Sequence, residues 1–282
     1  MRRRSRNAFT LVELMVVLLI IAILVSLVSS AAMKALGKIP EVKTATEISQ
    51  LAVALEAFKM DYGLSDPPSS VLILNEYNSL STPGDNGRSA AFLQKVFGKN
   101  LAPQQDWNGN GRIDGPPAGW VLEGEQAIVF YLGGIPQQGA PQGFSTNNMN
   151  PAALGGKRKG PYFPFDLARL KPAAGGFFVY VDPWQSKASP LYATFGGTPY
   201  AYFSSGGINN AYSLTDCAGI NAAPYFVTAT KQFMNPSGYQ LISAGKDGVF
   251  GTTGWVPAAG ATGAGADDQA NFSAGLLGSG QQ

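Results

Sequence analysis

Phe9-Thr10-Leu11-Val12-Glu13-Leu14-Met15-Val16-Val17-Leu18-Leu19-Ile20-Ile21-Ala22-Ile23-Leu24-Val25-Ser26-Leu27-Val28 decides how the chain is read. As a helix these residues rise about 30 Å, the thickness of a bilayer's hydrocarbon core. Glu13 is the exception inside the run. An unpaired carboxylate there costs on the order of 3 kcal/mol, so it calls for a partner. In front stand Arg2, Arg3, Arg4 and Arg6, a basic block that stays cytoplasmic and sends the following chain outward. A plain secretory signal shares this layout, with Ser29, Ser30, Ala31 and Ala32 as its cleavage site. Glu13 argues against it, because a short signal core gains nothing from a buried carboxylate.

Ala8-Phe9-Thr10-Leu11-Val12-Glu13, after a basic leader and before a long apolar run, resembles the processing site of type IV pilins and type II secretion pseudopilins. The resemblance implies that prepilin peptidase cuts between Ala8 and Phe9 and that the new amino terminus is methylated. Ala8 stands where that family usually has Gly. The new amine would lie about one helical turn from Glu13. Glu13 then pairs with its own amine or a neighbour's, and a slipped helix would leave both charges unpaired, which makes the pair a register pin for assembly. The partners implied are the peptidase, the inner membrane and other pilin or pseudopilin subunits. The implied location is the bacterial inner membrane, single-pass with the head in the periplasm, and a filament or the cell surface after assembly.

The division expected is a leader over 1–8, a long helix over 9–62 with 9–28 in the membrane, and a head over 63–282. Beyond Val28 the helix continues, bent or opened at Gly37 and Pro40. Val42, Ala45, Ile48, Leu51, Ala52, Leu55, Phe58 and Tyr62 then form one apolar stripe, with Glu47, Gln50, Glu56 and Lys59 opposite. Gly63 ends it. A head of about 220 residues is large enough for one buried core.

Without the four leader arginines, 16 basic residues face 18 acidic ones, and the basic run Lys157-Arg158-Lys159 reads as a solvated loop. Nucleic-acid binding is not suggested. The sequence has no histidine and one cysteine, Cys217, which removes Ser-His and Cys-His catalysis and any internal disulfide. Any metal would be a hard cation held by oxygens. Charged residues make up 13%, against ~25% in typical soluble domains, which predicts a neutral, loop-rich exterior.

Within the head, Ser89 is read as the N-cap of a helix reaching Phe97, with Gly98 as its stop. Asp106-Trp107-Asn108-Gly109-Asn110-Gly111-Arg112-Ile113-Asp114 matches nine places of an EF-hand-type calcium loop, with Asp106, Asn108, Asn110 and Asp114 as ligands. Pro117 stands at the twelfth place, so Glu123 or Glu125 would have to close the sphere. The same residues also suit an Asn/Gly turn that caps its own backbone. Glu125 to Leu132 reads as helix or buried strand, and 133–161 as a long loop. Phe177 to Val181, Tyr200 to Ser204 and Tyr239 to Ser243 read as strands of an antiparallel sheet packed on the second half of the long helix. The fold class is α+β, with insertions at about 104–161 and 205–235.

Asp182-Pro183-Trp184, Pro199-Tyr200 and the run from Tyr239 to Gly248 follow the order of landmarks in the major pseudopilin of type II secretion. That similarity implies a calcium loop held by Asp247 and by Asp267 or Asp268. Three classes of function stand side by side. One is a filament subunit. Another is an exported or anchored calcium-dependent, adhesin-like binding protein, in which Trp107 or Trp120 contacts a ligand. The third is a secreted enzyme using paired carboxylates, for which the sequence offers no supporting context.

Overall fold

The computed structural model describes residues 10–251, 254 and 259–279. The chain divides between Val42 and Lys43 into two compact units, where the sequence suggests a boundary near residue 62. Helix α1 (Leu11–Asp61) contributes to both. It continues through Pro40, where the sequence leads one to expect a bend or a local opening. In the first unit the large apolar side chains from Leu11 to Ile39 are exposed, and Lys38 pairs with Glu41 at 2.8 Å.

In the second unit α1 buries Ile48, Leu51, Leu55 and Phe58, the i, i+3, i+4 spacing expected of the stripe. Glu47, placed opposite by the sequence, instead faces inward and meets Arg169. Phe58 also stands edge-on to Tyr162 at 5.6 Å. Then follow β1 (Leu72–Leu74), α2 (Arg88–Phe97), β2 (Trp120–Leu122) and α3 (Gly124–Gly133). Strands β1 and β2 pair antiparallel. Helix α2 stops at Gly98 as expected, but its start is set differently. Asp85 accepts from Gly87 N and Ser89 N at 3.0 and 2.7 Å, while Ser89 Oγ is taken by Ile73 N. The N-cap position is Gly87, the amides of the helix start are satisfied by Asp85 two residues before it, and Ser89 ties the helix to β1. The ambiguous run Glu125–Leu132 is helical, and every residue of α3 is buried, Glu125 and Gln126 of its first turn included. Although α3 falls within the span read as inserted, it lies against β2 and against the strands Phe178–Tyr180 and Ala201–Ser204 at the centre of the core.

The stretch after α3 holds two small antiparallel pairs, β3 (Pro136–Gln137) with β4 (Ala140–Pro141) and β5 (Phe144–Ser145) with β6 (Arg158–Lys159). Arg158 is no solvated loop residue. Its guanidinium donates to the carbonyls of Gln142, Gly143 and Ala153 at 2.6–2.8 Å. Strand β7 (Leu170–Pro172) pairs with β8 (Phe178–Tyr180), and a short helix, α4 (Tyr192–Phe195), follows.

The main sheet has the order β11–β10–β9, built from β9 (Ala201–Ser204), β10 (Tyr239–Ser243) and β11 (Gln269–Ala270), all antiparallel. Strand β8 belongs to its own hairpin rather than to this sheet. It is joined to the start of β9 through a Val181–Pro199 bridge and a Tyr200 N to Tyr180 O bond of 3.0 Å. Successive strand residues face opposite sides. Tyr202 and Leu241 enter the core shared with α1 and α3. Ala201, Phe203, Ile242 and Ala270 enter a second core made with Tyr212, Ile220, Tyr225, Phe250 and Leu277. Segment 205–235 and the region after β10 thus cover a sheet face that would otherwise be bare.

Candidate functional site

The first turn of α1 is closed by its own side chains. Thr10 donates from its backbone N and from Oγ1 to Glu13 Oε2, both at 2.9 Å, and Glu13 N donates back to Thr10 Oγ1 at 3.2 Å. This is a capping box, in which a hydroxyl and a carboxylate three residues apart satisfy the free amides of a helix start. The Thr-x-x-Glu spacing signals it in the sequence, and Thr10 is the residue that an argument from charge alone passes over. Ala8 and Phe9 lie outside the described residues, and with them the amine expected to meet Glu13. From Leu11 to Ser29 the helix is long and apolar enough to cross a membrane, and none of it is buried.

In the head, the loop Asp106–Asp114 is brought together but spends its oxygens on itself. Asp106 accepts from Asn110 N at 3.1 Å and Gly111 N at 2.7 Å, and Asn108 Oδ1 also accepts from Asn110 N. Asn110 donates to Asp114 Oδ1 at 3.0 Å. This is the self-capping turn that the same residues allow. The carboxylate that closes the loop is neither Glu123 nor Glu125. It is Glu76, fully buried, which accepts from Asn108, Asp114 and Gly115 N at 3.0–3.3 Å. Burial pushes the Glu76 carboxyl above the usual range, against the pull of those three amides. Glu123 accepts instead from Gly219 N, and Glu125 sits beside the Cys217 thiol, its carboxyl raised to about 7 by burial.

The second predicted calcium loop is arranged differently. Asp267 Oδ2 accepts from Asp247 N at 2.8 Å. Asp268 is fully buried, with Oδ2 accepting from Tyr225 OH at 2.6 Å and Gly251 N at 3.0 Å. Its Oδ1 is buried and has no hydrogen-bond partner among the described residues. Burial first, and then the negative charges of Asp267 and Asp247, push the Asp268 carboxyl up to about 7. Asp267 and Asp247 thus lie close enough for their charges to be felt at Asp268. Even so, among the described residues no three Asp, Glu or Cys side chains converge as a ready-made metal cage. A cation here would need backbone oxygens as well.

Set against protein families, residues 3–29, from the leader arginines to the end of the apolar run, match the prokaryotic N-terminal methylation motif. The chain is pilin-like at its N-terminus. The match and the apolar helix are together consistent with a type IV pilin or pseudopilin. No curated protein and no solved structure matches the chain.

The remaining candidate residues of this pilin-like chain are structural. Trp107 is fully buried and donates Nε1 to Ser79 Oγ at 2.9 Å, so it is core and no ligand platform. Trp120 is half-buried and lies over Gly175. Cys217 is buried, its thiol donating to Tyr202 O at 3.3 Å. Burial, with Glu125 beside it, raises that thiol well above its ordinary value, the condition of an inert cysteine.

Proposed function

We propose that this chain is a structural pilin-like subunit. Prepilin peptidase cuts it between Ala8 and Phe9 and the new terminus is methylated. The helix from Phe9 to Val28 holds it in the bacterial inner membrane with the head in the periplasm. It then assembles with other pilin or pseudopilin subunits into the filament of a type II secretion or type IV pilus system. The observation that carries this reading is the coincidence of the methylation motif over residues 3–29 with an uncovered apolar helix that keeps a carboxylate at Glu13. Mass spectrometry of the native protein from membranes or sheared filaments tests it. The expected start is methylated Phe9, and a start near Met33 would replace the reading by an ordinary signal peptide.

Glu13 has two duties in this scheme, the cap with Thr10 and register in the stack. Glu13→Ala is therefore expected to leave membrane insertion intact or improved and to cut filament yield. Normal filament yield from this variant, by shearing and immunoblot, would remove Glu13 from assembly.

A second reading concerns calcium, and Asp268 supports it. A buried carboxylate oxygen without a partner, beside two further aspartates that raise its pKa, is a place where a hard cation would relieve both burial and repulsion. Asp247, Asp267 and Asp268 would hold the ion, which would tie down the loop after β10. Calcium is expected to raise the melting temperature of the full chain, and Asp247→Ala to shrink that rise. An identical melting curve in chelator would make the loop an ordinary Asp-Gly turn.

A further inference from the structure

A polar cleft opens in the head where the loop ahead of β1, the start of α2 and the chain leaving β9 meet. It encloses about 210 Å³. Five serines line it, among them the buried Ser70, Ser204 and Ser205. The wall is fixed in place. Ser205 Oγ donates to Gly238 O at 2.9 Å and accepts from Gly207 N at 3.2 Å, Ser204 Oγ accepts from Gly206 N at 2.9 Å, and Tyr212 OH donates to Asn235 O at 2.6 Å. Asp216 is held at both ends, its carbonyl oxygen accepting from Gly124 N at 2.7 Å and its Oδ2 from Ser70 Oγ. Among the described residues, Asp216 Oδ1 has no hydrogen-bond partner, and neither has the Arg88 guanidinium, which lines the same cleft. The two charges form no ion pair with each other. Asp85, the third charge, is already engaged by Thr82 Oγ1, Gly87 N and Ser89 N.

We propose that this cleft binds a single sugar ring, a neutral ligand carrying several hydroxyls. Charge removes the simpler ligands. Two carboxylates against one guanidinium oppose a phosphate, a sulfate or a carboxylate, while a cation would meet Arg88. A zwitterion such as an amino acid would serve Arg88 and Asp216 but turn its carbon atoms to the serine wall, burying hydroxyls without partners. Adjacent sugar hydroxyls both donate and accept. One ring can therefore accept from Arg88, donate to Asp216 Oδ1 and pair with the serines. Tyr212, its ring packed on Phe233 at 5.1 Å, adds an apolar wall for the C–H face of such a ring. The volume falls below the ~300–1000 Å³ of drug-sized sites, which limits the ligand to one ring. Tyr212, Ser213 and Asp216 all come from the segment 205–235. The material added between β9 and β10 thus covers the sheet and also supplies one member of the charge pair. Binding of this kind requires neither filament assembly nor calcium.

The test is saturation-transfer NMR of the full chain, solubilised in a sugar-free detergent, with D-glucose, D-galactose, D-mannose and N-acetylglucosamine. Glycine and acetate are the charged controls. At least one sugar is expected to bind with a Kd of about 1 mM, the range open to so small a ligand. Arg88→Gln changes an exposed side chain and is expected to melt with the wild type while binding about tenfold more weakly or worse. Asp216→Asn keeps an acceptor for Ser70 and is expected to lose binding to a similar degree. Ile208→Ala, exposed but outside the cleft, is expected to bind as the wild type does. Transfer to none of the four sugars overturns the proposal, as does stronger transfer to glycine or acetate. Unchanged sugar binding in Arg88→Gln overturns it equally, and that variant decides alone if Asp216→Asn does not fold.

Discussion

Arg169→Met is expected to lower the stability of the head by about 3–5 kcal/mol, the cost of leaving a buried charge without its partner. Arg169 and Glu47 are 122 positions apart in sequence, and both side chains are at least nine-tenths buried. The guanidinium meets both carboxylate oxygens, Nη1 to Oε2 at 2.9 Å, and also donates to Val181 O at 3.0 Å and to the Tyr180 hydroxyl. Tyr200 OH adds a bond to Glu47 Oε2 at 3.0 Å. Without Arg169, one tyrosine hydroxyl would have to satisfy the Glu47 carboxylate. The variant Glu47→Leu with Arg169→Met is expected to recover much of the loss, because it removes both charges together. Urea denaturation of the detergent-solubilised chain reads out both. A single variant within about 1 kcal/mol of wild type would mean that the pair does not hold α1 to the head.

Gly124→Ala is expected to be at least as damaging. Gly124 opens α3, its N donating to Asp216 O at 2.7 Å. A Cβ there would land on the carbonyl oxygen of Tyr202 in β9 and 2.6 Å from Cys217 Sγ. Overpacking usually costs about 1–3 kcal/mol, and here the obstacle is the backbone of a strand with both faces buried, which cannot yield without loss of register. The expected readout is a head that melts early and is cut by protease at ordinary temperature. Gly37 is the counterpart. An added Cβ meets nothing within 4 Å, so Gly37→Ala is expected to strengthen α1 by up to about 1 kcal/mol. A stable Gly124→Ala protein would show that α3 can shift away from β9.

Long periodic elements were legible in the sequence and contacts between remote segments were not. The stripe Ile48, Leu51, Leu55, Phe58 and the strand Tyr239–Ser243 follow from spacing and residue type alone. Glu47 looked like a solvent-facing residue because its partner, Arg169, is fixed only by the fold. Strand β11 has two residues in a Gly/Ala-rich stretch, too few for any periodicity. In the Asp106–Asp114 loop the turn chemistry was readable, but the closing carboxylate, Glu76, stands 32 positions before Asn108, whose amide it accepts. Thr10 could have been found, since the capping-box spacing was there to be counted.

The two-sided burial of β9 and β10 bears on how the protein matures. A head that forms in chain order has β9 in place long before Phe250, Ala261, Ala270 and Leu277, which complete the core on its outer side. Until those residues emerge, Phe203 and Ile242 stand open to water on an unfinished strand ladder. The head thus passes through an interval of sticky, half-built sheet before its last segment folds over it.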